Sequence, residues 1–176
     1  FLVEALPESR VVFLVRDPRD VVSSTLNATW IPKSRTGRER RAKRVTQRPD
    51  SSVRTRAGGY LQDITHAKQA YDAHGGHKVL VRYEELRADT SETMKRICST
   101  LEIPVRDRKV RRAVKKYSWE NLPNAGGRDK GRRKATPGGW REDLTPEQVE
   151  TVEGITAPVL DEFYPGWKSG RSGSLA

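Results

Sequence analysis

The chain has 176 residues and a formal net charge of +11, from 34 lysines and arginines against 23 aspartates and glutamates. This length suffices for one domain with a core, and a hydrophobic content of only 34% predicts a lean core with long loops. The single cysteine excludes an internal disulfide, and no apolar run is long enough to cross a bilayer. Nothing marks an oxidising compartment, which favours a cytoplasmic location for this segment.

The first strong pattern is a strand over residues 10–15 followed at once by a helix over 18–29. The last five residues of the strand are apolar and mostly β-branched, which is typical of a buried strand. Asp17 is a suitable N-cap and Pro18 a suitable first helical residue. Arg16 is therefore predicted at the carboxyl end of a strand, beside the positive end of a helix. This combination favours a phosphate ligand, although an ordinary strand-to-helix turn also uses Asp-Pro.

A long polar segment at residues 31–53 comes next. It is basic and contains Pro32, Gly37 and Pro49, which disfavour regular structure. We predict a basic loop insertion here, which is either a lid near a substrate or a disordered insertion. A helix with an apolar face is expected to follow at about residues 54–73.

In the second half of the chain, a strand pattern is again followed by helix patterns, as in a parallel α/β fold. A second strand is expected at 78–83 and a helix at 105–116, and Asp89 begins another helix with a capping-box-like pattern. Thr145 has the pattern of an N-cap for the last helix, which Pro158 is expected to bend or break. The fold class is thus α/β, with a parallel sheet flanked by helices.

Two strands are too few for a stable sheet, and the chain begins with Phe1 rather than Met. A core strand appears before any partner strand has been seen. We therefore expect an N-terminally truncated fold, with one partial domain over residues 1–167. The Ser/Gly-rich residues 168–176 are expected to form a disordered tail.

Basic residues are concentrated in three segments, at 33–56, 106–116 and 128–134. Such segments favour an anionic ligand or surface, although a solvated face is the common reason for any one of them. The last segment runs into a loop that ends at Trp140 and is rich in glycine. Glycine and proline let this backbone fold over a ligand, while its arginines and lysine can reach a phosphate.

The first and last of these motifs resemble those of the sulfotransferase family. That family moves a sulfuryl group from 3′-phosphoadenosine-5′-phosphosulfate to hydroxyls or amines. In Arg-Asp-Pro-Arg-Asp-Val-Val-Ser-Ser, Arg16 and Ser24 match the spacing of the family's 3′-phosphate-binding residues. In Arg-Lys-x-x-x-Gly-x-Trp, Arg133 and Lys134 match the family's C-terminal nucleotide-binding motif, with Ala135 where the family usually has glycine.

Two further segments between these motifs resemble the same family. A strand ending in Tyr-Glu-Glu-Leu implies that Tyr83 lies against the adenosine. Residues 117–119 are similar to a Thr-Ser-Phe segment near the adenine, which implies that Ser118 hydrogen-bonds the nucleotide and Trp119 stacks on it. The four matches follow the family's order over residues 10–144.

The resemblance implies a P-loop-nucleotide-hydrolase-like fold, 3′-phosphoadenosine-5′-phosphosulfate as co-substrate, and no metal. The implied reaction is an in-line transfer to an acceptor oxygen or nitrogen, in which a base removes the acceptor's proton. No catalytic residue is identified in this chain. The general base and the lysine of the 5′-phosphosulfate loop are expected upstream of Phe1. The basic loop hints at an anionic acceptor, such as a glycan, a lipid or a small molecule.

Other classes of function stay open on the residues alone. A basic nucleic-acid-binding module would explain the charge and use tryptophans as stacking surfaces, but it leaves the paired phosphate motifs unexplained. Nucleic acid is therefore the less favoured partner. A kinase or ATPase would need a Gly-x-x-x-x-Gly-Lys-Ser/Thr loop, which this chain lacks. A catalytically inactive nucleotide-binding fragment is the third alternative.

Overall fold

The computed structural model of the chain describes residues 6–28, 50–118 and 137–168. In chain order, the elements of these ranges are β1 (Val11–Val15), α1 (Pro18–Ala28), α2 (Asp50–Ala73), β2 (Lys78–Arg82), α3 (Tyr83–Ala88), α4 (Thr90–Thr100), α5 (Asp107–Tyr117), α6 (Trp140–Asp143) and α7 (Pro146–Phe163). The prediction of an α/β chain with a parallel sheet flanked by helices is confirmed.

The two strands pair in parallel, from Val11 opposite Lys78 to Val15 opposite Arg82. A parallel pair needs a long crossover connection, and α1 and α2 lie in the connection here. Phe13 and Val15 turn to the buried side of β1, as the β-branched, apolar strand pattern predicts.

The chain divides into two compact units. Unit 1 comprises Phe1–Val15 and Ile64–Thr136, and unit 2 comprises Arg16–Asp63 and Pro137–Ala176. Each unit has a hydrophobic core within its described residues. The single partial domain over residues 1–167 stays a prediction.

Unit 1 is built around the sheet, and α4 packs on β2, α3 and α5. The buried side chains of its core are Val79, Val81, Ile97 and Leu101, with Leu86 and Met94 packed against them. Asp89 caps α4, since its side chain accepts a hydrogen bond from the N–H of Glu92 at 2.9 Å. The predicted helix start is therefore confirmed.

Unit 2 is helical, and its α1 packs on α6 and α7. The buried side chains of its core are Val22, Leu26, Val53, Ala57, Leu144 and Val152, with Trp140, Val149 and Ile155 packed against them. Thr145 and Gln148 form a reciprocal capping box at the start of α7, as predicted. The helix continues unbroken through Pro158 to Phe163, so the predicted break is wrong, and the alternative of a bend stays a prediction. Buried side chains on both sides of the proline keep this helix packed against its neighbours.

Two predicted boundaries are corrected by the structure. The basic loop was predicted to extend to residue 53, but α2 begins at Asp50. The reason is packing, because Val53 is fully buried in the core of unit 2. The second strand ends at Arg82, and Tyr83 opens the short helix α3 instead of ending the strand.

None of the helices in the described ranges is long and apolar enough to cross a membrane. Residues 31–49 of the predicted basic loop and residues 169–176 of the predicted tail lie outside the described residues.

Candidate functional site

The turn between β1 and α1 forms around Asp17, as predicted. The carboxylate of Asp17 accepts a hydrogen bond from the N–H of Arg19 at 2.9 Å and so caps α1. Pro18 occupies the first helical position, where its missing N–H leaves no hydrogen bond unmade. The turn places Arg16 directly after β1 and Ser24 in the second turn of α1.

Arg16 and Ser24, the two predicted 3′-phosphate residues, both lie in unit 2 and are both half-buried. The carbonyl oxygen of Arg16 accepts a hydrogen bond from the Tyr60 hydroxyl at 2.6 Å, which holds the backbone of Arg16 within unit 2. Ser24 belongs to an ordinary α-helix, which fixes the place of its Cβ on the helix surface. A guanidinium and a hydroxyl on such supports are the donor types that bind phosphate.

A buried ion network that the sequence did not predict lies beside this turn. The Arg19 guanidinium donates to Asp17 at 2.7 Å and to Glu153 of α7 at 2.9 Å. Burial disfavours the charged guanidinium, but the hydrogen bonds and the attraction of the two carboxylates outweigh it and raise the pKa of Arg19. Arg19 therefore stays charged and joins α1 to α7.

The carboxylate of Asp20 binds the backbone of the Gly-x-Trp segment, from Gly138 to Trp140. One carboxylate oxygen accepts the N–H of Gly138 at 2.7 Å, and the other accepts the N–H of Trp140 at 3.1 Å. Asp20 is only 3% exposed, so water does not compete for these contacts. Gly138 has φ +84, a conformation that residues with a side chain rarely adopt. The structure thus joins the Arg-Asp-Pro-Arg-Asp motif to the Gly-x-Trp motif directly.

Trp140 holds this segment in place by packing against the core of unit 2. The guanidinium carbons of Arg19 and Arg141 lie 4.3 and 4.4 Å from the centre of its ring, within cation–π distance. One turn further along α1, the Ser23 hydroxyl donates to Asp143 at 2.6 Å. These contacts attach α6 to α1.

The positive end of α1 is already served by carboxylates of the chain itself. Asp17 accepts the N–H of Arg19, and Asp20 lies in the first helical turn, where a negative charge is favoured. The N–H of Arg19 is therefore engaged within the protein rather than turned to a ligand. A phosphate at this turn would therefore need donors other than this N–H.

The other predicted nucleotide-binding residues lie elsewhere. Tyr83 is the half-buried first residue of α3, and Ser118 is the half-buried residue that follows α5; both belong to unit 1. Trp119, Arg133 and Lys134 lie outside the described residues.

Sequence reasoning missed Arg19, Asp20 and Glu153 as members of this site. A signal was available for Glu153, which lies on the apolar face of α7 beside Val149 and Val152. Glutamate is rarely buried unless it is paired, so an acid at such a position indicates a buried cation. The identity of the partner had no local signal, because Arg19 is 134 residues away.

Two histidines, His74 and His77, lie between α2 and β2. His74 follows the end of α2 but is buried, with its Nε2 2.8 Å from the carbonyl oxygen of Ser9. The partly exposed His77 lies 3.7 Å from Glu102. Across the described ranges, His, Cys, Asp and Glu side chains form no group of three that could hold a metal ion.

Comparisons with known proteins agree with the resemblance that the motifs show. A family model described as a sulfotransferase domain matches residues 3–164. Among curated proteins, Cytosolic sulfotransferase 17 of Arabidopsis thaliana is 25% identical over 189 residues, covering 93% of this chain and 53% of that protein. The chain therefore spans about half the length of this relative.

Proposed function

Because this chain belongs to the sulfotransferase domain family, we propose that it binds the 3′-phosphate of a 3′-phosphoadenosine sulfuryl donor through Arg16 and Ser24. The family match confirms the resemblance that the motifs predicted. The observation that carries the proposal is the turn itself. A capped helix start fixes Arg16 at the end of β1 and Ser24 in the second turn of α1, and both side chains are partly exposed.

The chemistry of the two donors supports a dianionic phosphate. A guanidinium presents several N–H groups to phosphate oxygens. A hydroxyl adds a neutral donor, which can rotate to suit the position of a phosphate oxygen. The second guanidinium of this turn, that of Arg19, is held between Asp17 and Glu153 and stabilises the structure of unit 2.

Further contacts to the nucleotide are proposed from the family spacing. Tyr83 would lie against the adenosine, Ser118 would hydrogen-bond the base and Trp119 would stack on it. Arg133 and Lys134 would provide the second set of cations for the phosphate. The direct link between the two motifs, through Asp20, supports a role for both in one function.

The proposed reaction is the transfer of a sulfuryl group from 3′-phosphoadenosine-5′-phosphosulfate, here a substrate, to a hydroxyl or amine. The bond between sulfur and the bridging oxygen of the donor breaks as the acceptor's oxygen or nitrogen bonds to sulfur. The acceptor loses its proton to a base, and the departing adenosine 3′,5′-bisphosphate takes the electron pair. The residues proposed here bind and orient the donor, and the acceptor is proposed to be an anionic glycan, lipid or small molecule.

The proposal also includes the architecture of the fold and the location of the protein in the cell. The parallel pairing of β1 and β2 supports a P-loop-like architecture. The name of the Arabidopsis relative, a cytosolic sulfotransferase, supports a cytoplasmic location for this protein.

Calorimetric titration with adenosine 3′,5′-bisphosphate tests the phosphate site. We expect Arg16→Ala to weaken binding by about 1.5–3 kcal/mol, the contribution of a charged hydrogen bond. Arg10→Ala is the matched control, because Arg10 lies at the other end of β1 and donates to the carbonyl oxygen of Leu101. Unchanged affinity in Arg16→Ala would remove this residue from the site. Salt-dependent retention on DNA without any nucleotide affinity would favour the nucleic-acid-binding alternative.

A further inference from the structure

We propose that Asp20 is a positioning residue of the nucleotide site. Its carboxylate fixes the backbone from Gly138 to Trp140, beside the helical turn that carries Ser24. The inference rests on the proposed function and deepens it, because it names the residue that holds the Gly-x-Trp segment against the helix proposed to bind the phosphate.

The contacts of Asp20 are those of a backbone clamp. Each carboxylate oxygen accepts one backbone N–H, from Gly138 at 2.7 Å and from Trp140 at 3.1 Å. Hydrogen bonds to an ionised acceptor are shorter and stronger than neutral ones. A buried carboxylate that loses these donors has no water to replace them, since Asp20 is 3% exposed. The segment is therefore held at two points by one side chain.

The position of Asp20 on α1 connects the clamp to the proposed phosphate site. Asp20 and Ser24 are four residues apart, so they lie on the same face and about 6 Å apart along the helix axis. The clamp therefore holds the backbone from Gly138 to Trp140 next to the helical turn that carries Ser24.

The other contacts between α1 and this region do not bind the backbone of the motif. The Ser23 hydroxyl bonds the side chain of Asp143, and Arg19 bonds the side chain of Glu153. Arg19 also lies against the ring of Trp140, which is again a contact between side chains. Asp20 alone among these three holds the backbone of the Gly-x-Trp motif.

The Asp20→Asn variant tests the inference in the full protein. Asparagine has one acceptor oxygen, and its NH₂ group cannot accept the second backbone N–H. The measured quantity is the ratio of the dissociation constants for adenosine 5′-phosphate and adenosine 3′,5′-bisphosphate. We expect this preference for the 3′-phosphate to fall about tenfold in Asp20→Asn, as loss of one charged contact predicts. In Ser23→Ala, which also loses a buried bond to α6, we expect the ratio to stay within about twofold of the starting protein.

The possible results separate the inference from the proposed function. If Asp20→Asn binds both nucleotides with an unchanged ratio, the clamp is only structural and the inference is overturned. If the unaltered protein shows no preference for the 3′-phosphate, the proposed function fails first and the inference falls with it.

A second measurement needs no variant and covers the case in which Asp20→Asn does not fold. In ¹⁵N-edited NMR spectra of the unaltered protein, the amide signals of Gly138 and Trp140 should shift on addition of adenosine 3′,5′-bisphosphate. They should shift much less with adenosine 5′-phosphate. Equal responses to the two nucleotides, or none, would contradict the positioning role.

Discussion

Arg19 and Asp20 are neighbours in sequence, yet each makes a different connection from α1. Arg19 lies between two buried carboxylates, and Asp20 holds two backbone amides. The predicted ligand residues Arg16 and Ser24 flank this pair and are more exposed. The motif thus divides into buried residues that fix the structure and more exposed residues that we propose bind a phosphate.

The ion network at Arg19 gives the first stability prediction. Removing one partner of a buried pair leaves uncompensated charge, so Arg19→Met should lower the free energy of unfolding by about 3–5 kcal/mol. Arg54→Met is the matched control, because the Arg54–Asp50 pair is exposed and such pairs contribute about 0–1 kcal/mol. Urea denaturation of both variants checks this expectation. Similar losses in the two variants would contradict a special contribution from the buried network.

Two glycines provide a second pair of variants. Gly138 has φ +84, and a Cβ there would lie 2.6 Å from the Arg141 guanidinium, so Gly138→Ala should destabilise the protein by about 1–2 kcal/mol. Gly154 lies inside α7 with open space where a Cβ would be, so Gly154→Ala should stabilise it by about 1 kcal/mol. Thermal unfolding compares the two directly. A stabilising Gly138→Ala would show that the positive φ is not required.

At the scale of single elements, the features predicted correctly are those set by residues close together in the sequence, such as helix caps. Asp17, Asp89 and Thr145 each cap the helix that the sequence assigned to them, because a cap and the amide it binds are two or three residues apart. The start of α2 was missed by several residues. Val53 is buried by contacts with residues far along the chain, which override the polar, proline-containing pattern before it.

The capping box of α7 gives a prediction at this scale. Thr145→Ala removes the acceptor for the Gln148 N–H and should cost about 1 kcal/mol of stability. Glu150→Ala changes an exposed position within the same helix and should have little effect, since both residues are good helix formers. Equal loss in both variants would mean that the box does not stabilise α7 specifically.

The Thr145→Ala variant is also expected to change the pKa of Glu147. The hydrogen bond with the Thr145 side chain lowers the pKa of Glu147 from its ordinary value of 4.5. A lowered pKa in the folded state stabilises the protein above the unfolded pKa, and this contribution is lost as the pH falls through the folded value. In Thr145→Ala we therefore expect the Glu147 pKa, followed by NMR, to rise towards 4.5. An unchanged titration would exclude the hydrogen bond as the cause.

At the scale of the whole molecule, the strong positive charge and the family membership have to be explained together. The charge of +11 is compatible with nucleic acid, an anionic surface or a phosphorylated nucleotide. Among these classes of ligand, the order of the motifs favoured the phosphorylated nucleotide of the sulfotransferase family. The family match over residues 3–164 confirms the family. The contacts that join the motifs could not be predicted, because they link residues more than a hundred positions apart and depend on how the helices pack.

The most direct test of the account compares two nucleotides on the unaltered full protein by calorimetry. Adenosine 3′,5′-bisphosphate carries the 3′-phosphate that Arg16 and Ser24 are proposed to bind, whereas ATP has a plain 3′-hydroxyl. We predict that the bisphosphate binds about 10- to 150-fold more tightly than ATP, the range that one charged contact provides. Equal or tighter binding of ATP would contradict the account.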